Sequence, residues 1–169
     1  MGGLAAIRVQ RGGYPFNTPL ETGIRMLAVL SAAAPLGFDL QRLSYFDYLL
    51  VHSADVEGGP ESIHPATPLR SGEFLVRRGL VERALLLILS RALISRTFSP
   101  NGIIYAANSL SDPFLEHLEA PYTRLLRDRA RWAVDRFGNM NDSNLREYFR
   151  QRLGQWGAEF VKEVSDIEE

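Results

Sequence analysis

The sequence predicts a mainly α-helical fold with one β-hairpin, arranged as a winged helix-turn-helix core with flanking N- and C-terminal helices. Three observations within residues 71–107 carry that expectation. Ser71 to Arg78 suits a short helix, with Ser71 as its N-cap and Glu73 near the positive end of the dipole. Gly79 then interrupts the pattern, and Val81 to Leu93 resumes as a longer helix rich in Leu and Arg. Ile94 to Phe98 and Ile103 to Ala107 read as two strands joined by Ser99-Pro100-Asn101-Gly102. Pro100 presets φ for the first corner of a type I turn, and Gly102 suits the left-handed residue of a bulged hairpin.

The flanking elements follow from caps and periodicity. Residues 1–17 hold four glycines and no helical period, so they read as a flexible N-terminal arm. Thr18-Pro19-Leu20-Glu21 starts a helix with a Thr cap, Pro at the first position and an acid in the first turn. That helix runs through Ile24, Leu27 and Leu30 to Ala34, where Pro35 and Gly37 stop it. Asp39 caps a second helix whose apolar residues, Leu40, Leu43, Phe46, Leu50 and Val51, recur at amphipathic spacing. Residues 52–70 contain Gly58, Gly59, Pro60, Pro65 and Pro68 and predict a long loop without regular structure, a kind often functional. Beyond the hairpin, Asp112 is expected to cap a helix that Pro121 kinks or restarts and that continues to Gly138. A last helix spans about Ser143 to Val164, before the acidic tail Asp166 to Glu169. The organisation predicted is therefore an arm at 1–17, a winged-helix domain at 18–110, and a helical extension at 111–169 that packs on it.

Composition bounds the function. Apolar content of 46% and charged content of 23% suit a soluble globular domain. The absence of cysteine excludes a disulfide framework and a thiolate metal site. A net charge of -1 offers no global attraction to nucleic acid, so any basic surface is local. No run approaches the ~20 apolar residues of a membrane helix, and the N-terminus lacks a signal-peptide pattern. A cytoplasmic location is expected.

Catalytic and metal chemistry find little support. His52-Ser53-Ala54-Asp55 holds a base, a hydroxyl and an acid, but a nucleophilic triad draws its members from separate elements. These residues read as the end of the second helix and its polar cap. His64, in the extended stretch His64-Pro65-Ala66-Thr67-Pro68, could join His52, Asp55 or Glu57 as a metal ligand, but two histidines twelve residues apart in a Gly/Pro loop are a weak metal signal. His117 reads as a surface residue. Gly12-Gly13 and Gly58-Gly59 lack the Lys and Ser/Thr of a phosphate loop. No enzyme, no cofactor and no metal is expected.

The helix predicted over Val81 to Leu93 points elsewhere. Val81, Leu85, Ile88 and Ala92 share one face for the core, while Leu80 and Leu87 share another, beside Arg83 and Arg91. A DNA-reading helix presents polar groups to base edges at such a position. Leucines ringed by arginines instead have the composition of a protein interface, unless helices of the same chain cover them. Arg77, Arg78 and Arg96 are the positions from which a winged helix could touch a phosphate backbone. A second cluster, Arg124, Arg127, Arg129, Arg131 and Arg136, reads as a solvated face in which Asp128 pairs with Arg124 or Arg131.

Taken together, the chain resembles the middle component, of the second type, of bacterial ABC three-component conflict systems. The resemblance rests on Asn17 to Arg25, Asp47 to Ser53, His64 to Glu73 and Arg77 to Arg83, extended by Pro121-Tyr122 and Arg136 to Gly138. It implies a small accessory subunit that bridges an ABC ATPase of the SMC or Rad50 kind and an effector, in Lamassu-like defence against phage or plasmids. It implies a system that senses foreign DNA, hence indirect contact with DNA, while nonspecific contact rests on the arginines above, and it supplies no catalytic residues. Self-association through the apolar helices is a further expectation. The alternative from the residues themselves is an autonomous winged-helix regulator of transcription.

Overall fold

Two side-chain N-caps, Thr18 and Asp39, set the starts of the first two helices. The computed structural model describes residues 18–65 and 70–152, with no side chain described from 70 to 75. The N-terminal arm, and the last predicted helix beyond residue 152, lie outside the described residues. Helix α1 covers Pro19–Ala33, α2 Leu40–Val51 and α3 Arg70–Ser90. Strands β1, Ile94–Ser99, and β2, Gly102–Ala107, follow, then α4, Ser111–Glu116, and α5, Pro121–Phe137. A sixth helix, α6, is described over residues 142–152.

The predicted starts of α1 and α2 are seen in their hydrogen bonds. The Glu21 N–H donates to Thr18 Oγ1 at 3.3 Å, and the Arg42 N–H donates to Asp39 Oδ1 at 2.8 Å. Between the two helices, Phe38 exchanges both backbone hydrogen bonds with Tyr105 of β2, each at 2.9 Å. Its ring stacks on Phe46 at 5.1 Å, and the Arg42 guanidinium lies over it at 5.3 Å. One residue between α1 and α2 thus pairs with the other edge of β2 and fastens the hairpin to the body.

Helix α3 corrects the expected break at Gly79. It is one helix from Arg70 to Ser90, with Ser71 inside its first turn and Gly79 in its middle. A mid-helix glycine costs only about 1 kcal/mol. Burying Val81, Ala84, Leu85 and Ile88 along a single stripe against α1 and α2 outweighs that cost. The helix also stops earlier than expected. Ala92 takes a left-handed φ of 57°, and the Leu93 N–H closes back on Ile88 O at 3.0 Å. Ala92, expected on the core face, therefore serves the C-terminal turn and is exposed. Asn108 Nδ2 holds its carbonyl at 2.9 Å.

The hairpin follows the predicted chemistry. Ser99 pairs with Gly102 and Ile94 with Ala107, and Gly102 has a φ of 121°. The Asn101 N–H donates to Ser99 Oγ at 3.2 Å across the turn. Ile94 and Tyr105 are buried at its base, whereas Phe98 near the tip is 74% exposed.

Asp112 is not the cap of α4; Leu110 holds that position, and Asp112 lies in the first turn. There it accepts from Ser31 Oγ at 3.0 Å and pairs with Arg127 at 2.7 Å, tying α4 to α1 and α5. Pro121 opens α5 at its first position, and Leu126, Ala130, Ala133 and Phe137 bury the stripe that meets α1 and α2. The Arg42 guanidinium reaches Gly138 O at 3.2 Å and Asp142 at 2.8 Å, which seats α6. Phe149 of α6 stacks on Tyr45 at 4.2 Å. Among the described residues, no helix is long and apolar enough to cross a membrane.

A continuous α3 makes a definite prediction. A Cβ at Gly79 would meet only the Arg83 guanidinium, at 3.8 Å. Gly79→Ala should therefore stabilise the protein by roughly 0.5–1 kcal/mol in chemical denaturation. A turn at Gly79 would instead make the same substitution destabilising.

Candidate functional site

Asp47, on α2, is where the interior is most highly charged. Arg25 of α1 donates from Nε to Asp47 Oδ1 at 2.7 Å, and Arg77 of α3 donates from Nη1 to Oδ2 at 2.5 Å. None of the three side chains is more than 2% exposed. Arg25 also donates to Thr22 Oγ1 at 3.0 Å, and the Arg77 guanidinium lies 5.8 Å from the centre of the Tyr48 ring. Burial pushes the Asp47 carboxyl up, but the two guanidiniums and their hydrogen bonds outweigh it and hold the carboxyl below its usual range.

The loop histidines lie against this cluster. His52 ends α2, its N–H bonded to Tyr48 O, and its ring packs 4.9 Å from that of Tyr48. The Tyr48 hydroxyl donates to Asp55 at 2.5 Å. His64 is buried, with Nε2 at 3.0 Å from the Tyr122 hydroxyl of α5, and its ring centre is 6.5 Å from that of His52. Burial, then the charges of Arg25, Arg77 and His52, lower the His64 pKa to about 4, so the ring is neutral near pH 7. Burial likewise raises the Tyr122 hydroxyl.

The loop itself is closely fastened, with a 3-10 turn at Ser53–Asp55 as the one regular piece among its described residues. The N–H groups of Ile63 and His64 both donate to Val51 O, Ser53 Oγ donates to Glu61 O at 3.0 Å, and Arg129 of α5 donates to the same carbonyl at 2.9 Å. Gly59 is required there, because a Cβ would fall 2.1 Å from Ser53 O. His52, Asp55 and His64 thus come together as one end of a buried network. Among the described residues no group of three or more His, Cys, Asp or Glu could hold a metal ion. The quoted stretches that carry the family resemblance converge here: they supply Arg25, Asp47, His52, His64, Arg77 and Tyr122.

Arg77 requires a correction. Its guanidinium is buried on Asp47, so it is not presented to a phosphate backbone. Arg78, one residue on, is exposed and donates to Gln41. Arg96 is exposed on β1, its guanidinium 5.2 Å from the centre of the Phe98 ring. On α5, Arg131 pairs with Asp128 at 3.4 Å, one of the two pairings expected there.

An open apolar groove lies between the first half of α1 and the C-terminal end of α3. Leu20 and Ile24 of α1, Leu87 and Arg91 from the end of α3, and Phe114 of α4 form its sides, and buried Leu27 and Ile88 help form its floor. It encloses about 450 Å³, and Arg91 is the one charged residue among the described residues lining it. Leu20 is 59% exposed and Phe114 37%, while Leu87 is half-buried. Of the four residues expected to bind a partner, the groove brings together Leu87 and Arg91. Leu80 is half-buried and Arg83 exposed, and neither lines it. The outer leucine face thus borders the open groove at Leu87, and Phe114 of α4 lines the same groove. Leu20 and Phe114 were missed because each lies on a separate short-range pattern, and only folding places them opposite Leu87.

A family model described as ABC-three component (ABC-3C) system Middle Component 2 matches residues 15–159. Comparison with curated proteins and with solved structures found no match.

The lowered His64 pKa fixes the sign of a pH effect. Between about pH 6.5 and 4 the unfolded chain takes up a proton at this ring while the folded chain does not. The stabilising difference is complete above pH 6.5 and is lost as pH falls towards 4. Thermal melts of His64→Gln should show a smaller drop in Tm from pH 7 to pH 4.5 than the unsubstituted protein. Equal drops in both proteins would mean that His64 titrates normally.

Proposed function

The chain belongs to the ABC-three component system Middle Component 2 family, and on that premise we propose that it is a non-enzymatic adaptor, docking an SMC- or Rad50-type ABC ATPase and an effector in an anti-phage or anti-plasmid system. The observation that carries the docking role is the apolar groove beside Leu87. Interfaces concentrate their binding energy in a few apolar and Arg anchors at a desolvated centre. Leu20, Leu87 and Phe114 around a single Arg91 have that composition, and Leu86, 52% exposed on the next face of α3, extends the apolar surface.

The order of elements supports a winged-helix framework, with α2 and α3 as the helix-turn-helix pair in place of the two halves of α3. In that reading the Phe38 rung is the first strand of a three-part sheet, and β1 and β2 form the wing. The connection from residue 52 to 69 is long for such a pair, and the buried histidine network accounts for its order where it is described. The position in a winged helix that would read bases is then occupied by Leu80, Arg83 and Leu87, a set better suited to protein than to DNA. The autonomous DNA-binding regulator loses one of its three proposed contacts, because Arg77 is buried with Asp47. Action in the cytoplasm accords with this role.

Leu87→Glu places a carboxylate on the groove wall. In co-expression with the products of the flanking genes, the tagged protein should retain the ABC ATPase and the variant should lose it, with unchanged circular dichroism. Retention of the ATPase by a folded variant would remove the groove from the interface.

A further inference from the structure

The hairpin keeps one open edge. Tyr105 of β2 exchanges both backbone hydrogen bonds with Phe38, so its N–H and C=O point away from β1. In an antiparallel ladder, pairs that exchange hydrogen bonds alternate with pairs that do not. Arg96, opposite Tyr105, therefore turns its own N–H and C=O outward, and Phe98, two residues on, does the same. Among the described residues, no backbone group bonds either of them. Residues 95–99 are all exposed, and the strand runs without bulge or proline. Native edges are blunted by such devices, because an open one is a template for another strand. Here the charge of Arg96 is the one such device, and Phe98 beside it is 74% exposed.

The sequence of this edge, Ser95-Arg96-Thr97-Phe98-Ser99, is its own antiparallel complement. A two-fold axis at Thr97 sets Ser95 opposite Ser99 of a second copy, and Arg96 opposite Phe98. The outward N–H and C=O of Arg96 then meet those of Phe98, as the ladder phase requires. On one face each guanidinium lies across from an aromatic ring. The same attraction already forms within the strand, where the Arg96 guanidinium is 5.2 Å from the Phe98 ring centre. The two arginines stand diagonally, which avoids the repulsion of like charges placed directly opposite. On the other face the Thr97 side chains meet at the axis, flanked by serines. The neighbouring registers set Arg96 opposite Arg96, or bring in Pro100, which has no N–H to donate.

We infer that a second copy of this chain adds its β1 antiparallel to this edge, joining two two-stranded hairpins into one continuous sheet. The contact is isologous and closes as a dimer. It uses neither the groove nor the apolar helices, so it does not rest on the docking role given to them. A single pair of short strands buries less than the ~1,200 Å² of a standard interface, so the dimer is weak and depends on concentration.

The chain has no cysteine, so one introduced thiol reports the axis directly. Opposed residues that do not exchange hydrogen bonds stand about 4.5 Å apart at Cα, within disulfide range. Under mild oxidation, Thr97→Cys should form a covalent dimer about tenfold faster than Ser95→Cys, whose thiols the register keeps out of reach of each other. Equal rates at the two positions, or no covalent dimer, overturn the inference. Sedimentation equilibrium tests the register. Phe98→Arg sets like charges opposite each other twice and should weaken the dimer about tenfold, whereas adding Arg96→Glu should restore it. A dimer indifferent to Phe98→Arg, or a folded double variant that stays single, also overturns the inference. Circular dichroism checks each fold, and if Phe98→Arg does not fold, the two cysteine variants decide the matter by themselves.

Discussion

One buried carboxylate, shared by two guanidiniums, sets how α1, α2 and α3 meet. Asp47 on α2 holds Arg25 of α1 and Arg77 of α3 in the same dry pocket. Such a cluster is weak evidence for net stability, because desolvating three charges offsets much of their attraction. Its effect is on specificity of arrangement. Any register of α1 or α3 that parts a guanidinium from Asp47 strands a charge in the core, which costs about 3–5 kcal/mol. Apolar packing alone, with Leu, Val and Ala along every buried stripe, would tolerate sliding far more readily.

That constraint links the interior to the surface. Helix α1 contributes Arg25 to the network and Leu20, Ile24 and Leu27 to the groove. Helix α3 contributes Arg77 from its first half and Leu87 from its last turn, and Arg91 follows directly after it. Fixing the two helices at Asp47 therefore fixes the width of the groove some fifteen ångströms further along α3, at roughly 1.5 Å per residue. The loop histidines belong to the same framework. His64 closes it by bonding Tyr122 of α5, and neutral at ordinary pH it adds no third positive charge beside the guanidiniums.

What could be read from the sequence was local. The Thr18-Pro19 and Asp39 helix starts, the Pro100-Gly102 turn and the helix opening at Pro121 each depend on a few adjacent residues, and each stands as read. The reading failed where long-range packing overrode a local signal. Gly79 looked like a break because its propensity is poor, yet the stripe from Val81 to Ile88 carries the helix through it. Arg77 looked like a surface cation because arginine usually is one; its partner lies 30 residues away on another helix. The Phe38 rung leaves no periodic signal, since a single residue has no period. For the groove, Leu87 and Arg91 were legible from the helical wheel, whereas Leu20 and Phe114 join them only through the fold.

The proposed adaptor is expected to meet an ABC ATPase through the groove between the start of α1 and the end of α3. Hydrogen–deuterium exchange of the protein, alone and in complex with that ATPase, tests it without altering a residue. The account predicts slowed exchange confined to the start of α1, the last turns of α3 and α4, with α2 unchanged. Protection centred instead on the hairpin tip at Phe98 and on Arg78, leaving the groove as it was, would contradict it.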